Sequence, residues 1–143
     1  MVNQGKSLNQ LGVRGGYASL GDPSPMMRAI LALFDKPIRN FTVEDLRLVV
    51  GQNIGLEYLM PYAIAVLKKD PLAEGMHFAG DLLCNVLRVD AQFYRLHPDV
   101  RQDVQGIVAD ARSASRLLSK IDADCFNEVF DEAYQYFEAT MDI

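Results

Sequence analysis

Two histidines and two cysteines are the residues of this chain best suited to nucleophilic or metal chemistry. His77, His97, Cys84 and Cys125 stand singly, without the close paired spacing that zinc sites usually have. Cys84 lies between Leu83 and Asn85 in an apolar helical pattern, where a thiol stays protonated and inert. Cys125 lies in a second such pattern, and both are expected to be buried, reduced thiols rather than a disulfide. The carboxylate pairs Glu44/Asp45 and Asp131/Glu132 are adjacent in sequence, so on a helix their members point apart. His97 before Pro98 reads as a helix start rather than a pH sensor, and Met26, Met27 and Met60 as core filling rather than a binding groove. Gly15-Gly16 and Gly21 have no GxxxxGK[ST] run around them to cradle a phosphate. No catalytic, cofactor-binding or metal-binding residue is expected, and the chain does not read as an enzyme.

Charge is the stronger signal. The formal net charge is −5, but residues 1–40 carry five Lys and Arg against two Asp, a net of +3. Residues 121–143 carry Asp122, Asp124, Glu128, Asp131, Glu132, Glu138 and Asp142 with no Lys or Arg, a net of −7. At about 100° per residue, Asp124, Glu128, Asp131, Glu132, Gln135 and Glu138 cluster opposite the apolar stripe Phe126, Val129, Phe130, Ala133, Phe137 and Met141. With no cation for i,i+4 pairing, these carboxylates repel one another slightly, a cost that a basic partner relieves. An acidic surface repels phosphate backbones, so direct nucleic-acid binding is not expected.

These faces need helices to hold them. At 143 residues the chain is long enough for one domain with a real core, and half its residues are hydrophobic. No apolar run approaches the roughly 20 residues of a membrane span. MVNQGKSLNQ lacks the apolar centre of a signal peptide, so a cytoplasmic location is expected. Residues 1–24 read as a loop or loosely docked arm, with Leu8, Leu11, Tyr17 and Leu20 available to lie along the core. Ser24 and Pro25 open a first helix that stops near Lys36-Pro37. Thr42 caps a second, with Asp45 completing a capping box and Gly51 as its left-handed end.

Gln52-Asn53 crosses to Gly55, and a third helix follows that either starts near Met60 or kinks at Pro61. Asp81 caps a fourth helix, and Asp90 a short turn through Phe93 and Tyr94. From His97-Pro98 a long stripe runs Val100, Val104, Ile107, Val108, Ala111, Ala114, Leu118 and Ile121, with Gly106 expected at a close helix contact. The last helix is expected over about Ala123 to Thr140. No segment alternates with period two, so the expected fold is an all-α, compact single-domain bundle of about five to seven helices over 1–143.

Within this frame Glu44-Asp45-Leu46-Arg47, Gly51-Gln52-Asn53-Ile54-Gly55-Leu56, Asp70-Pro71-Leu72-Ala73-Glu74-Gly75 and Gly80-Asp81-Leu82-Leu83 form a connected set of motifs. The set resembles the immunity proteins of contact-dependent growth inhibition (CDI) systems over about residues 6 to 95, and Lys6-Ser7-Leu8 resembles the family's opening. The segment Met76-His77-Phe78-Ala79 departs from the family's usual pattern, and the part after residue 95 matches little. The resemblance implies a cytosolic protein that binds and blocks the C-terminal toxin domain of its own system, with no enzymatic activity and no cofactor. Many such toxins are nucleases, which tend to be basic. It also implies that the shared motifs are scaffold, while the toxin-contacting surface varies. The acidic set Asp124, Glu128, Asp131, Glu132, Gln135 and Glu138 is the expected toxin-binding face. A helical adaptor using the same face is the alternative.

Overall fold

The computed structural model describes residues 5–13 and 24–141. Among these, seven α-helices and one 3-10 turn follow in order, with no strand. They are α1 (Pro25–Leu33), the 3-10 turn Ile38–Asn40, α2 (Val43–Gly51), α3 (Leu56–Lys69), α4 (Asp81–Leu87), α5 (Ala91–Leu96), α6 (Pro98–Ser115) and α7 (Lys120–Ala139). The fold is all-α.

Helix starts follow local cap chemistry. Ser24 Oγ accepts from Met27 N at 3.2 Å with Pro25 at the first position. Thr42 and Asp45 form a reciprocal capping box, each side chain accepting the other's backbone N–H. Asp90 accepts from Gln92 N at 3.2 Å. Helix α3 begins at Leu56, so Pro61 stands inside it on the exposed side, as does Glu57, whose carbonyl it deprives of a partner.

The α4 helix is the hub. It packs on α2, α3 and α7, while α3 also holds α6, and α5 folds against α6. Its Leu82, Leu83, Val86 and Leu87 are all completely buried. Residues 5–13 reach this core too: Asn9 N donates to Phe34 O and Ile38 N to Lys6 O, both at 3.0 Å, and Leu8 is fully buried. Leu11 packs partly buried beside it, whereas Tyr17 and Leu20 lie outside the described residues.

Several expectations are corrected. Gly51 is not a left-handed cap but the last residue of α2, and the left-handed residues of the break are Asn53 with φ 57° and Gly55 with φ 60°. Gly51 instead lets α4 approach: a Cβ there would stand 2.7 Å from Asn85 Nδ2, which donates to Arg47 O at 2.9 Å. Asp81 is the first residue of α4 rather than its cap, and its carboxylate turns back to the preceding loop. The α6 stripe does not reach Ile121, because Ser119 accepts from Asp122 N and starts α7 at Lys120, leaving Ile121 exposed. Gly106 has nothing within 4 Å of a Cβ, so no close helix contact explains it. Met141 lies past the end of α7 and is exposed.

Candidate interaction surface

Helix α7 is held from three sides. Phe126, Phe130, Ala133 and Phe137 are buried, with Phe126 and Phe130 stacked at 4.7 Å and Tyr94 meeting Phe137 edge-on at 5.3 Å. Phe126 lies on Gly80, whose φ of +90° favours glycine and whose absent side chain leaves the ring its place: a Cβ would stand 2.5 Å from Phe126 Cδ1. From α6, Arg112 covers Phe130 and Tyr134 at 5.0 and 4.8 Å. Arg101, itself buried, donates to Thr140 Oγ1 at 2.8 Å and to Phe137 O at 3.2 Å, so its cation sits at the negative end of the α7 dipole.

So held, α7 turns Asp124, Glu128, Asp131, Glu132, Gln135 and Glu138 outward, all six exposed. The structure therefore gathers the expected residues on one face, with one correction. Glu132 is not without a partner: Arg88 at the end of α4 approaches it to 3.7 Å. An exposed pair of this kind contributes about 0–1 kcal/mol. Among the described residues no ion pair reaches Asp124, Glu128, Asp131 or Glu138. Along the edge towards Arg88, exposed Ile121 and Cys125 on one side and Tyr136 on the other flank Glu128 and Glu132 at spacings of three and four. Sequence reasoning missed these apolar neighbours, since only the covering helices decide which flank of the stripe stays open.

The motif residues build a separate, internal site. Glu44 Oε1 accepts from Arg47 Nε at 2.7 Å and from Met76 N at 2.8 Å, and Oε2 from Arg47 Nη2 at 2.6 Å. Asp81 accepts from Gly75 N at 2.7 Å and His77 N at 3.0 Å, with Arg47 Nε 3.8 Å away. Arg47 thus stands between two carboxylates that together receive the N–H groups of one loop. Its hydrogen bonds hold the Glu44 carboxyl below the usual range against an opposing effect of burial, and Glu44 in turn raises the Arg47 guanidinium. Asp45 points the other way, to Lys36 Nζ at 2.6 Å and Thr42 N at 3.0 Å. Asn53 Oδ1 accepts from Asp90 N at 2.9 Å, which ties the break after α2 to the start of α5.

The histidines and cysteines lie on separate elements. His77 is exposed in the loop before α4, and His97 stacks on Phe93 at 4.2 Å at the start of α6. Cys84 is buried in α4, and burial pushes its thiol up to about 12. Cys125 is free like Cys84 but exposed, contrary to expectation, because it sits on the open flank of α7. Among the described residues no cluster of three or more His, Cys, Asp or Glu could hold a metal ion. No helix there is long and apolar enough to cross a membrane. Met60 is core, but Met26 is half exposed and edges a groove of about 650 Å³ with Met76, Ala29, Leu48, Glu44, Asp45, Arg47 and His77.

No curated protein and no solved structure matches the chain. A family model for CDI immunity proteins matches residues 18–104, more than half of the 143. The match takes in α1 to α5, the Glu44–Arg47–Asp81 site and the first two turns of α6, and it leaves out Lys6-Ser7-Leu8 and all of α7. The chain belongs to the CDI immunity protein family, whose members neutralise the toxins of contact-dependent growth inhibition.

Proposed function

We propose that this chain binds the C-terminal toxin domain of its own CDI system in the cytoplasm, that this toxin is a basic nuclease, and that the outer face of α7 meets it. The observation that carries the reading is a row of exposed carboxylates, four of them without an ion pair among the described residues, on a helix outside the family match. A shared scaffold with a variable binding element suits a family in which each member faces a different toxin. Asp124, Asp131, Gln135 and Glu138 follow one line along α7, with Glu128 and Glu132 beside it. Such a row offers a basic cleft the same sign of charge as a phosphate backbone and steers association by long-range attraction. The protein then acts by occupying the toxin, since its own charge repels nucleic acid.

The test is association kinetics with the toxin domain encoded in the adjacent reading frame. Asp131→Lys with Glu138→Lys, both exposed and outside the Arg88 pair, is expected to slow association about tenfold or more at low salt and to flatten its salt dependence. Unchanged kinetics would remove α7 from the reading. Co-expression with the toxin separates immunity from a general adaptor role, because an adaptor gives no protection. Degradation of DNA or RNA by the free toxin, blocked on addition of this chain, tests the nuclease assignment.

A further inference from the structure

Residues 11–13, the first turn of α3 and the corner between α5 and α6 border a cavity of about 390 Å³ that none of the sites above uses. Three aromatic rings line it. His97 stacks on Phe93 at 4.2 Å with the ring planes 21° apart, Tyr58 stands on α3, and all three residues are half-buried. His97 Nδ1 lies 2.9 Å from Phe93 O. A carbonyl only accepts, so Nδ1 carries the proton and Nε2 of the neutral ring is left as an acceptor.

Among the described residues Glu57 is the one carboxylate on this lining, no ion pair reaches it, and no Lys or Arg lines the cavity. Its charge raises the Tyr58 phenol, so the carboxylate stands beside that ring. The walls are already in place. Val13 N donates to Leu8 O at 3.0 Å and Leu11 N to Ser7 O at 3.1 Å, and this segment lies close on α3 because Gly55 has no side chain: a Cβ there would stand 2.9 Å from Leu8 Cδ2. Aromatic faces attract a cation, the unpaired carboxylate balances its charge, and Leu11, Val13 and Leu56 offer apolar surface to the methylenes of a long side chain. A planar guanidinium uses all of these together, since it stacks on rings and gives paired N–H bonds to a carboxylate. An apolar occupant would leave Glu57 and Nε2 unanswered, and an anion would be repelled by Glu57. Phe93 meets Tyr94 edge-on at 5.9 Å and Tyr94 meets Phe137 of α7 at 5.3 Å, so a basic partner lying on α7 has the cavity within reach.

We propose that this cavity seats an arginine side chain of the toxin, a contact additional to the α7 face, with Glu57 pairing the guanidinium and Tyr58, Phe93 and His97 supplying the rings around it. The proposal rests on the immunity reading.

Equilibrium binding of the full chain to the toxin domain tests it, using Glu57→Gln, Tyr58→Leu and Phe93→Leu beside the wild type. Glu57→Gln keeps the shape of the side chain and removes its charge. It is expected to weaken affinity about tenfold, the effect of losing one central interface contact, and to lower the melting temperature only slightly through the loss of a first-turn charge on α3. Tyr58→Leu and Phe93→Leu keep apolar bulk and remove a ring, and each is expected to weaken affinity several-fold; if Phe93→Leu melts low, Tyr58→Leu carries the ring test. Affinity within twofold of wild type for Glu57→Gln overturns the proposal while leaving the immunity reading intact, and folded ring variants that bind like wild type overturn the aromatic recognition. An Arg→Met scan of the toxin is then expected to yield one variant whose affinity Glu57→Gln no longer changes, and a scan without one overturns the arginine assignment. A wild-type chain that does not bind the toxin overturns the immunity reading and this contact together.

Discussion

Asp81 acts mainly on backbone, and Glu44 on both backbone and the Arg47 side chain. Each carboxylate takes N–H groups from the loop before α4, and Arg47 between them offsets the charge that the arrangement concentrates. Because the Glu44 carboxyl is held below its ordinary value of 4.5, it favours the folded state above that pH, and the contribution disappears as pH falls through the lower, folded-state value. Denaturant titrations from pH 7 down to 3 should therefore find stability falling on the acid side, with Glu44→Gln less stable at pH 7 and flatter below 4.5. An acid limb of the same steepness in both proteins would contradict this. The two thiols give a separate check. A disulfide reagent should modify one thiol per native chain quickly, Cys125, and reach the second, Cys84, only in denaturant. None of these pairings was legible beforehand. Asp81 looks like a cap because its neighbours are helical, and only the folded loop reveals what its oxygens receive.

Among the elements, legibility followed the range of the interaction. Ser24-Pro25, Thr42 with Asp45, and Asp90 specify their helix starts within four residues, and all three starts stand where local chemistry puts them. The α6–α7 corner is hidden in the sequence because an apolar stripe continues across it, while α6 ends at Ser115 and the start of α7 is marked by a single side chain, Ser119. The stripe on α1 fixed a buried side but could not reveal that the other side stays open. Gly51 belongs to this scale as well: a side chain there would crowd Asn85 off the Arg47 carbonyl, so Gly51→Val should lower stability by about 1–3 kcal/mol through overpacking against Asn85. Thermal melts beside toxin-binding measurements check it, with a depressed melting temperature and retained affinity below the melt as the expected pair. Normal melting with lost affinity would place partner recognition at this break instead.

Across the whole molecule the division is between α1–α5, which the family model covers, and α7, which lies outside the matched residues. The all-α architecture was readable from periodicity alone, and the acidic face from charge alone. The way the two halves are joined was readable from neither, because Gly80 under Phe126 and Arg101 under the end of α7 are contacts between residues distant in sequence. Gly80 has a further consequence for how such a protein can be rebuilt. Its missing side chain makes a socket in the matched scaffold, and Phe126 is the plug on the last helix. A chimaera that grafts a different last helix onto this body keeps its seat only if the incoming helix carries a flat ring at that position. Exchange of this one helix then keeps the fold only where plug and socket are inherited as a pair.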